Sequence, residues 1–138
     1  MIRDKLIAQL SIDEGRRNKV YKDTVGKLTV GVGRNISDRA FSDDEIDLML
    51  SNDIAIVEKE LDRKLPWWRQ MNDARQNVLA NMAFNMGVPT LESFVNTLKA
   101  MQEARYVDAA AGMLKSRWAA QVGNRAVRLA TVMRTGEL

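Results

Sequence analysis

The sequence predicts an α+β fold with two lobes. A small lobe with a β-hairpin is expected at about residues 12–41, a connecting helix at about 42–64, and a helical lobe at about 66–138 that also takes in the N-terminal helix. Three observations predict this fold: alternating apolar residues along 28–32, the helix-start signature Ser-Asp-Asp-Glu at 42–45, and helical periodicity through the second half of the chain. A length of 138 residues suits a single domain with its own core.

The N-terminal segment predicts a helix followed by a hairpin. Gly15 is expected to end the helix, because glycine is favoured just beyond a helix C-terminus. The turn at 23–26 and the alternation at 28–32 predict two antiparallel strands, and a short third strand is expected near 35–37. The apolar residues that share one face of the first helix are Ile2, Leu6, Ile7 and Leu10.

The long connecting helix is followed by further predicted helices. They are expected at about residues 73–86, 91–100, 106–114 and 125–133. Gly87 is expected to end the first of these, and Asn124 is expected to be the N-cap of the last.

The composition restricts the chemistry that the protein can perform. It contains no cysteine, which excludes disulfides, thiol nucleophiles and thiolate metal sites. It contains no histidine, which excludes Ser-His and Cys-His catalysis and the usual zinc ligands. These absences favour hydrolysis driven by carboxylates over most other reactions.

Charge is distributed unevenly along the chain. Residues 1–41 hold nine basic and five acidic side chains, residues 42–65 hold three and eight, and residues 66–138 hold nine and five. Two basic segments therefore flank an acidic one, a pattern that suits a polyanionic partner such as nucleic acid, anionic lipid or an anionic cell wall. The alternative is an ordinary set of solvated faces on a mildly basic protein.

Glu14, Asp23 and Thr29 are the candidate catalytic residues. An acid at a helix C-terminus is unexpected, because the partial negative charge there favours cations. The path from helix to turn to strand can bring Glu14, Asp23 and Thr29 to one edge of the small lobe, and we expect Glu14 to be partly buried there. Two carboxylates in unlike surroundings suit glycoside hydrolysis, with one as proton donor and the other ionised.

Each of these residues also has a simpler interpretation. Asp23 is a common residue at the start of a turn, and Thr29 is common in strands. Glu14 can equally be a surface acid beside Arg16 and Arg17. From the chemistry alone, both interpretations stay open.

The spacing Glu14-x8-Asp23-x5-Thr29 resembles the catalytic triad of the phage lysozyme (endolysin) family, of the coliphage lysozyme type. The likeness covers about residues 12–136. The other phrases that match the family in order are NMAFNMG at 81–87, FVNTL at 94–98, KSRW at 115–118, NRA at 124–126 and RTG at 134–136.

The resemblance implies a role for each triad residue. Glu14 would be the general acid, and Asp23 would be the second carboxylate, acting as base or stabiliser. Thr29 would hold a water molecule or the substrate between the two.

In the helical lobe the resemblance implies three further site residues. Arg125 is expected to lean toward Glu14, while Phe84 and Thr97 match substrate-contacting positions. Their simpler interpretations are a core phenylalanine at Phe84, a surface hydroxyl at Thr97 and a helix-start charge at Arg125.

The activity implied by the resemblance is that of a peptidoglycan muramidase without metal or cofactor. Its partners would be peptidoglycan glycan strands, with no nucleic acid and no stable protein partner, and the protein would be a monomer. No signal peptide or transmembrane segment is recognised, so the resemblance implies a host-cytoplasmic protein that is released to the periplasm and cell wall by a separate membrane-lesion protein. The alternatives are a lytic transglycosylase, an inactive wall-binding relative and a basic nucleic-acid-binding module.

The sequence departs from the family in the small lobe. Arg34 stands where relatives usually have histidine, and an arginine does not titrate in the physiological range. Asp53 is the acid that we expect to pair with Arg34. The stretch between Arg34 and Ser42 is short, so we expect a trimmed small lobe.

Overall fold

The computed structural model describes the whole chain, Met1–Leu138, and confirms the α+β fold. The chain divides into two compact units, Met1–Leu48 and Met49–Leu138. In order, its elements are α1 (Arg3–Glu14), β1 (Arg17–Lys22), β2 (Leu28–Gly31), β3 (Arg34–Asn35), α2 (Asp43–Lys64), a 3-10 turn (Pro66–Gln70), α3 (Asp73–Met86), α4 (Val88–Glu92), α5 (Val95–Gln102), α6 (Tyr106–Leu114), α7 (Arg117–Val122) and α8 (Asn124–Thr135).

The first unit contains a three-stranded antiparallel sheet in the order β1-β2-β3. Thr29 lies on the central strand, opposite Tyr21 on one side and Asn35 on the other. The predicted hairpin is thereby confirmed, and the short third strand begins one residue earlier than expected, at Arg34. Gly15, with a φ of 75°, ends α1 as predicted.

The start of α2 is fixed by the predicted capping box. The Ser42 backbone N–H donates to Glu45 Oε1 at 2.9 Å, and the Glu45 N–H donates to Ser42 Oγ at 3.2 Å. This reciprocal pair satisfies two donors that the helix itself leaves without partners.

Glu45 also pairs with Arg34, whose guanidinium carbon lies 5.7 Å from the centre of the Phe41 ring. The prediction that Asp53 fills this role is therefore wrong. Only a short segment separates Arg34 of β3 from Ser42. The first turn of α2, which carries Glu45, therefore lies close to Arg34.

We expect Glu45→Gln to remove a pH-dependent part of the stability. Hydrogen bonds from Ser42, and secondarily the pairing with Arg34, hold the pKa of Glu45 below its ordinary value of 4.5. The folded state therefore binds fewer protons than the unfolded chain, and this stabilisation is present above pH 4.5 and lost as the pH falls through the lowered pKa. Thermal unfolding between pH 7 and about pH 3 should show the melting-temperature gap between wild type and variant narrowing at the acidic end.

Asp47→Asn is the matched control, because Asp47 is an exposed acid of α2 that forms no ion pair. The melting temperature of this variant should differ from that of wild type by a constant amount over the whole pH range. A Glu45→Gln gap that stayed constant with pH would contradict the role given to the carboxylate.

The second unit holds the hydrophobic core. Trp68 and Trp118 are both buried in it, and each Nε1 donates at 2.7 Å, to Asp62 and to Asn85 respectively. Complete burial of a leucine or methionine side chain contributes roughly 1.5–3 kcal/mol. The largest fully buried side chains are Leu61, Leu79, Met82, Leu91, Met101, Met113, Met133 and Val78.

Two predictions for the helical unit are wrong, and one of its helices is missing from the predicted set. The helix expected at 91–100 is two helices, α4 and α5, because the chain turns at Ser93, whose Oγ donates to the Thr90 carbonyl at 2.5 Å. Asn124 is the first residue of α8, and Gly123 (φ 58°) holds the N-cap position. The helix α7, which Ser116 caps by accepting from the Ala119 N–H at 3.1 Å, was not predicted.

No helix of the structure has both the length and the apolar character that crossing a membrane requires.

Candidate active site

Glu14 is the last residue of α1, with no basic residue in the helix's final turn to offset it. Its side chain is exposed, so the expectation of partial burial is wrong. It forms no ion pair with Arg16 or Arg17, and Arg17 instead lies 5.0 Å over the Tyr21 ring. The exposure agrees with the interpretation of Glu14 as a surface acid, but neither arginine pairs with it, so its carboxyl group is left available for chemistry.

The carboxyl group of Glu14 lies directly against Gly33. A Cβ atom placed on Gly33 would stand 2.8 Å from Glu14 Oε2. The backbone between β2 and β3 therefore forms one wall beside this carboxyl.

Asp23 both builds the hairpin turn and keeps one oxygen free. Its Oδ1 accepts from the backbone N–H groups of Val25 at 3.0 Å and Lys27 at 2.8 Å. No protein donor reaches Oδ2. The turn-forming interpretation is thus correct for one oxygen, and the same hydrogen bonds orient the other as an acceptor for a ligand or water.

Thr29 is 4% exposed, and its hydroxyl donates to the Lys27 carbonyl at 3.1 Å. With its proton committed in this way, the oxygen can serve only as an acceptor toward a water molecule. A water that donates to Thr29 presents its lone pairs elsewhere, which is the orientation that a nucleophilic water needs.

Arg125, in the first turn of α8, is held by Asn81 of α3. Its Nε and Nη2 both donate to Asn81 Oδ1, at 3.0 and 2.7 Å. A cation at a helix start is electrostatically unfavourable, so this double hydrogen bond fixes a residue that the helix itself does not stabilise. Sequence reasoning missed Asn81, although it opens the NMAFNMG phrase. The approach of Arg125 to Glu14 stays a prediction.

Phe84 is 44% exposed, so the interpretation of it as a core residue is wrong. It lines a groove of about 410 Å³ together with Ile54, Asn81 and Arg125. An exposed aromatic ring in a groove with polar neighbours has the character of a ligand contact.

Thr97 is 8% exposed, so the interpretation of it as a surface hydroxyl is also wrong. It lines two grooves of the helical unit, of about 540 and 470 Å³. Gly112 of α6 lies against its hydroxyl, and a side chain at Gly112 would occupy the space that the Thr97 oxygen holds.

Hydrogen bonds join the NMAFNMG phrase to the KSRW and NRA phrases, and the end of α8 to the start of α3. Asn85 of NMAFNMG accepts from Trp118 of KSRW at 2.7 Å. Near the end of α8, the Met133 carbonyl accepts from Arg75 Nε at 2.7 Å, and the Gly136 carbonyl of RTG accepts from Asn72 Nδ2 at 3.0 Å. Most of these phrases therefore hold the helical unit together, and few of their residues point to chemistry.

No group of three or more acidic side chains is placed to hold a metal ion.

Known proteins resemble the chain over nearly its whole length. The family model described as phage lysozyme matches residues 11–135. "Probable T4-type lysozyme 1" of Dictyostelium discoideum is 25% identical, over 94% of this chain and 93% of that protein. The pre-baseplate central spike protein Gp5 of Enterobacteria phage T4 is 29% identical, over 91% of this chain and 27% of the spike protein. Because the family model matches residues 11–135, which is most of the chain and includes Glu14, Asp23 and Thr29, the chain belongs to the phage lysozyme family.

Proposed function

We propose that the protein is a muramidase, which hydrolyses the β-1,4 bond between N-acetylmuramic acid and N-acetylglucosamine in peptidoglycan and so lyses bacteria. Membership of the phage lysozyme family supports a glycoside hydrolase. The observation that carries the proposal is Asp23, whose carboxylate is anchored through Oδ1 and free at Oδ2, in the same unit as Glu14 and Thr29.

In the proposed mechanism, Glu14 protonates the glycosidic oxygen as the bond to the leaving sugar breaks. Asp23 Oδ2 takes a proton from a water molecule that donates its other hydrogen to Thr29. The sugar develops positive charge in the transition state, and the ionised carboxylate stabilises it. One water is added across the bond, and Asp23 finishes protonated while Glu14 finishes ionised, so a proton exchange with solvent resets the site.

Phe84, Thr97 and Arg125 are proposed as the residues of the helical unit that meet the substrate or the acid. The exposed ring of Phe84 offers a surface on which a sugar can stack, and Thr97 offers a hydroxyl between two grooves. Arg125 carries a charge whose position is set by Asn81. The net charge of +3 favours the anionic wall, and no metal, cofactor or protein partner enters the mechanism.

The proposed setting is a monomer that reaches the wall from the host cytoplasm once a separate protein has opened the membrane. A second setting is the lytic module of a phage tail, and the match to a spike protein over 91% of this chain favours its consideration.

The test of the proposal is the clearing of outer-membrane-permeabilised Gram-negative cells, followed by mass analysis of the released fragments. A muramidase adds the mass of water to each cut, whereas a lytic transglycosylase leaves an anhydro sugar of lower mass. Absence of any glycan fragment from wild-type protein would refute both activities and favour an inactive wall-binding protein.

We expect the reaction to invert the anomeric configuration. A threonine that holds a water against Asp23 has a task in single displacement and none if Asp23 attacks the sugar directly. Inverting enzymes separate their carboxyl groups by about 6.5–9.5 Å, which leaves room for that water. Proton NMR of freshly cut oligosaccharide should therefore show the α anomer first, and the β anomer as first product would contradict single displacement.

A further inference from the structure

Gly33 lies in the tight turn between β2 and β3 and faces the carboxyl group of Glu14. Its φ of +68° already favours glycine. A Cβ at this position would also stand 2.8, 3.0 and 3.1 Å from Oε2, Cδ and Cγ of Glu14. Glycine at residue 33 therefore meets two demands, one from the backbone and one from the space that Glu14 fills.

Gly31 has the same kind of backbone conformation without the contact to Glu14. Its φ is +70°, close to that of Gly33, yet a Cβ on Gly31 would meet no atom within 4 Å. Alanine at either position is strained by a positive φ, and only alanine at 33 meets Glu14.

Contacts of Arg34, the residue after Gly33, hold the turn in place. Val30 pairs with Arg34 across β2 and β3, and Arg34 in turn pairs with Glu45 and lies over the Phe41 ring. Glu14, by contrast, makes no hydrogen bond through its side chain and is exposed. When the two compete for space, the flexible carboxyl group yields and the turn stays.

We propose that Gly33 is a positioning residue, whose bare Cα lets the carboxyl group of Glu14 rest against the turn in the place where it donates its proton. The inference rests on the proposed function for its catalytic consequence. A methyl group at residue 33 swings the carboxyl away while the fold is kept, so Gly33→Ala loses turnover in addition to the stability that alanine loses at a positive φ.

The experiment compares Gly33→Ala with Gly31→Ala for kcat, KM and melting temperature on purified peptidoglycan. We expect kcat of Gly33→Ala to fall about 10²-fold, because a displacement of about 1 Å from the reacting geometry has that effect. Its KM should change little, and both variants should melt below wild type, since each places alanine at a φ near +70°. Gly31→Ala should keep turnover near that of wild type.

A second readout needs no activity. The side-chain carboxyl carbon of Glu14, assigned by the loss of its NMR signal in Glu14→Gln, should shift in Gly33→Ala and stay in place in Gly31→Ala. Equal kcat in the two alanine variants, or an unmoved Glu14 signal in Gly33→Ala, would overturn the inference. A wild-type protein that cuts no glycan refutes the proposed function separately, and the NMR comparison still decides whether Gly33 places the carboxyl.

Discussion

Glu14→Gln is expected to leave the fold intact and to abolish bacterial lysis. Glutamine keeps the size and shape of the side chain but cannot donate a proton as an acid. General acid catalysis contributes about 10²–10⁴-fold to the rate, and the variant should lose at least that much. The measurement is the rate of cell clearing together with fragment release, alongside a thermal unfolding curve.

Asp13→Asn is the matched control for this substitution. Asp13 precedes Glu14 on α1, is exposed, and forms no ion pair, so its replacement makes the same change in net charge one residue away. It should lyse cells at the wild-type rate. A Glu14→Gln protein with near-normal turnover would remove Glu14 from the mechanism.

The elements that sequence reasoning placed well are those whose ends are set by local chemistry. The predicted bounds of α3 match the structure, because Asn72 caps its start by accepting from Arg75 N–H and Gly87 ends it with a φ of 83°. The capping box of α2 is equally local, since Ser42 and Glu45 are three residues apart. Interactions of this range can be recognised in sequence letters.

The wrong helix bounds and the missed helix lie where short apolar segments follow one another. Residues 91–100 fit a helical pattern, yet the chain turns at Ser93, and Leu91 and Leu98 are buried on two different helices. α7 has six residues, too few for a period to show. Periodicity reveals neither a turn inside an apolar segment nor a helix of this length.

The candidate site shows the same difference between local interactions and interactions between residues that are far apart in the sequence. The turn at Asp23 and the strand position of Thr29 follow from residues within six positions of each other. Asn81 lies 44 residues from Arg125, and Asn85 lies 33 from Trp118, so these pairs appear only once the helices are packed. The partner of Arg34 was misassigned for a related reason, because the letters alone do not say which of the acids on α2 the short turn reaches.

Asp23 permits a substitution that separates its two roles. Asparagine retains an oxygen that can accept from the N–H groups of Val25 and Lys27, so the turn is expected to survive. What changes is the other position, where an amide N–H₂ that can only donate replaces the free Oδ2. A group that donates there cannot take a proton from water, and its loss of negative charge removes the stabilisation of the positively charged sugar.

Asp23→Asn is therefore expected to lower turnover by about 10²-fold or more while the melting temperature stays near that of wild type. Asp38→Asn serves as the control, because Asp38 lies in the same unit and also makes hydrogen bonds, at 2.8 Å to Asn35 Nδ2 and 3.2 Å to Lys27 Nζ. That variant should remain active, since it removes an equal charge from a carboxylate outside the proposed mechanism. If Asp23→Asn kept wild-type turnover, Asp23 would be a turn-forming residue only. If instead a covalent glycosyl-Asp23 adduct were trapped on the wild-type enzyme, direct attack would replace the water held by Thr29.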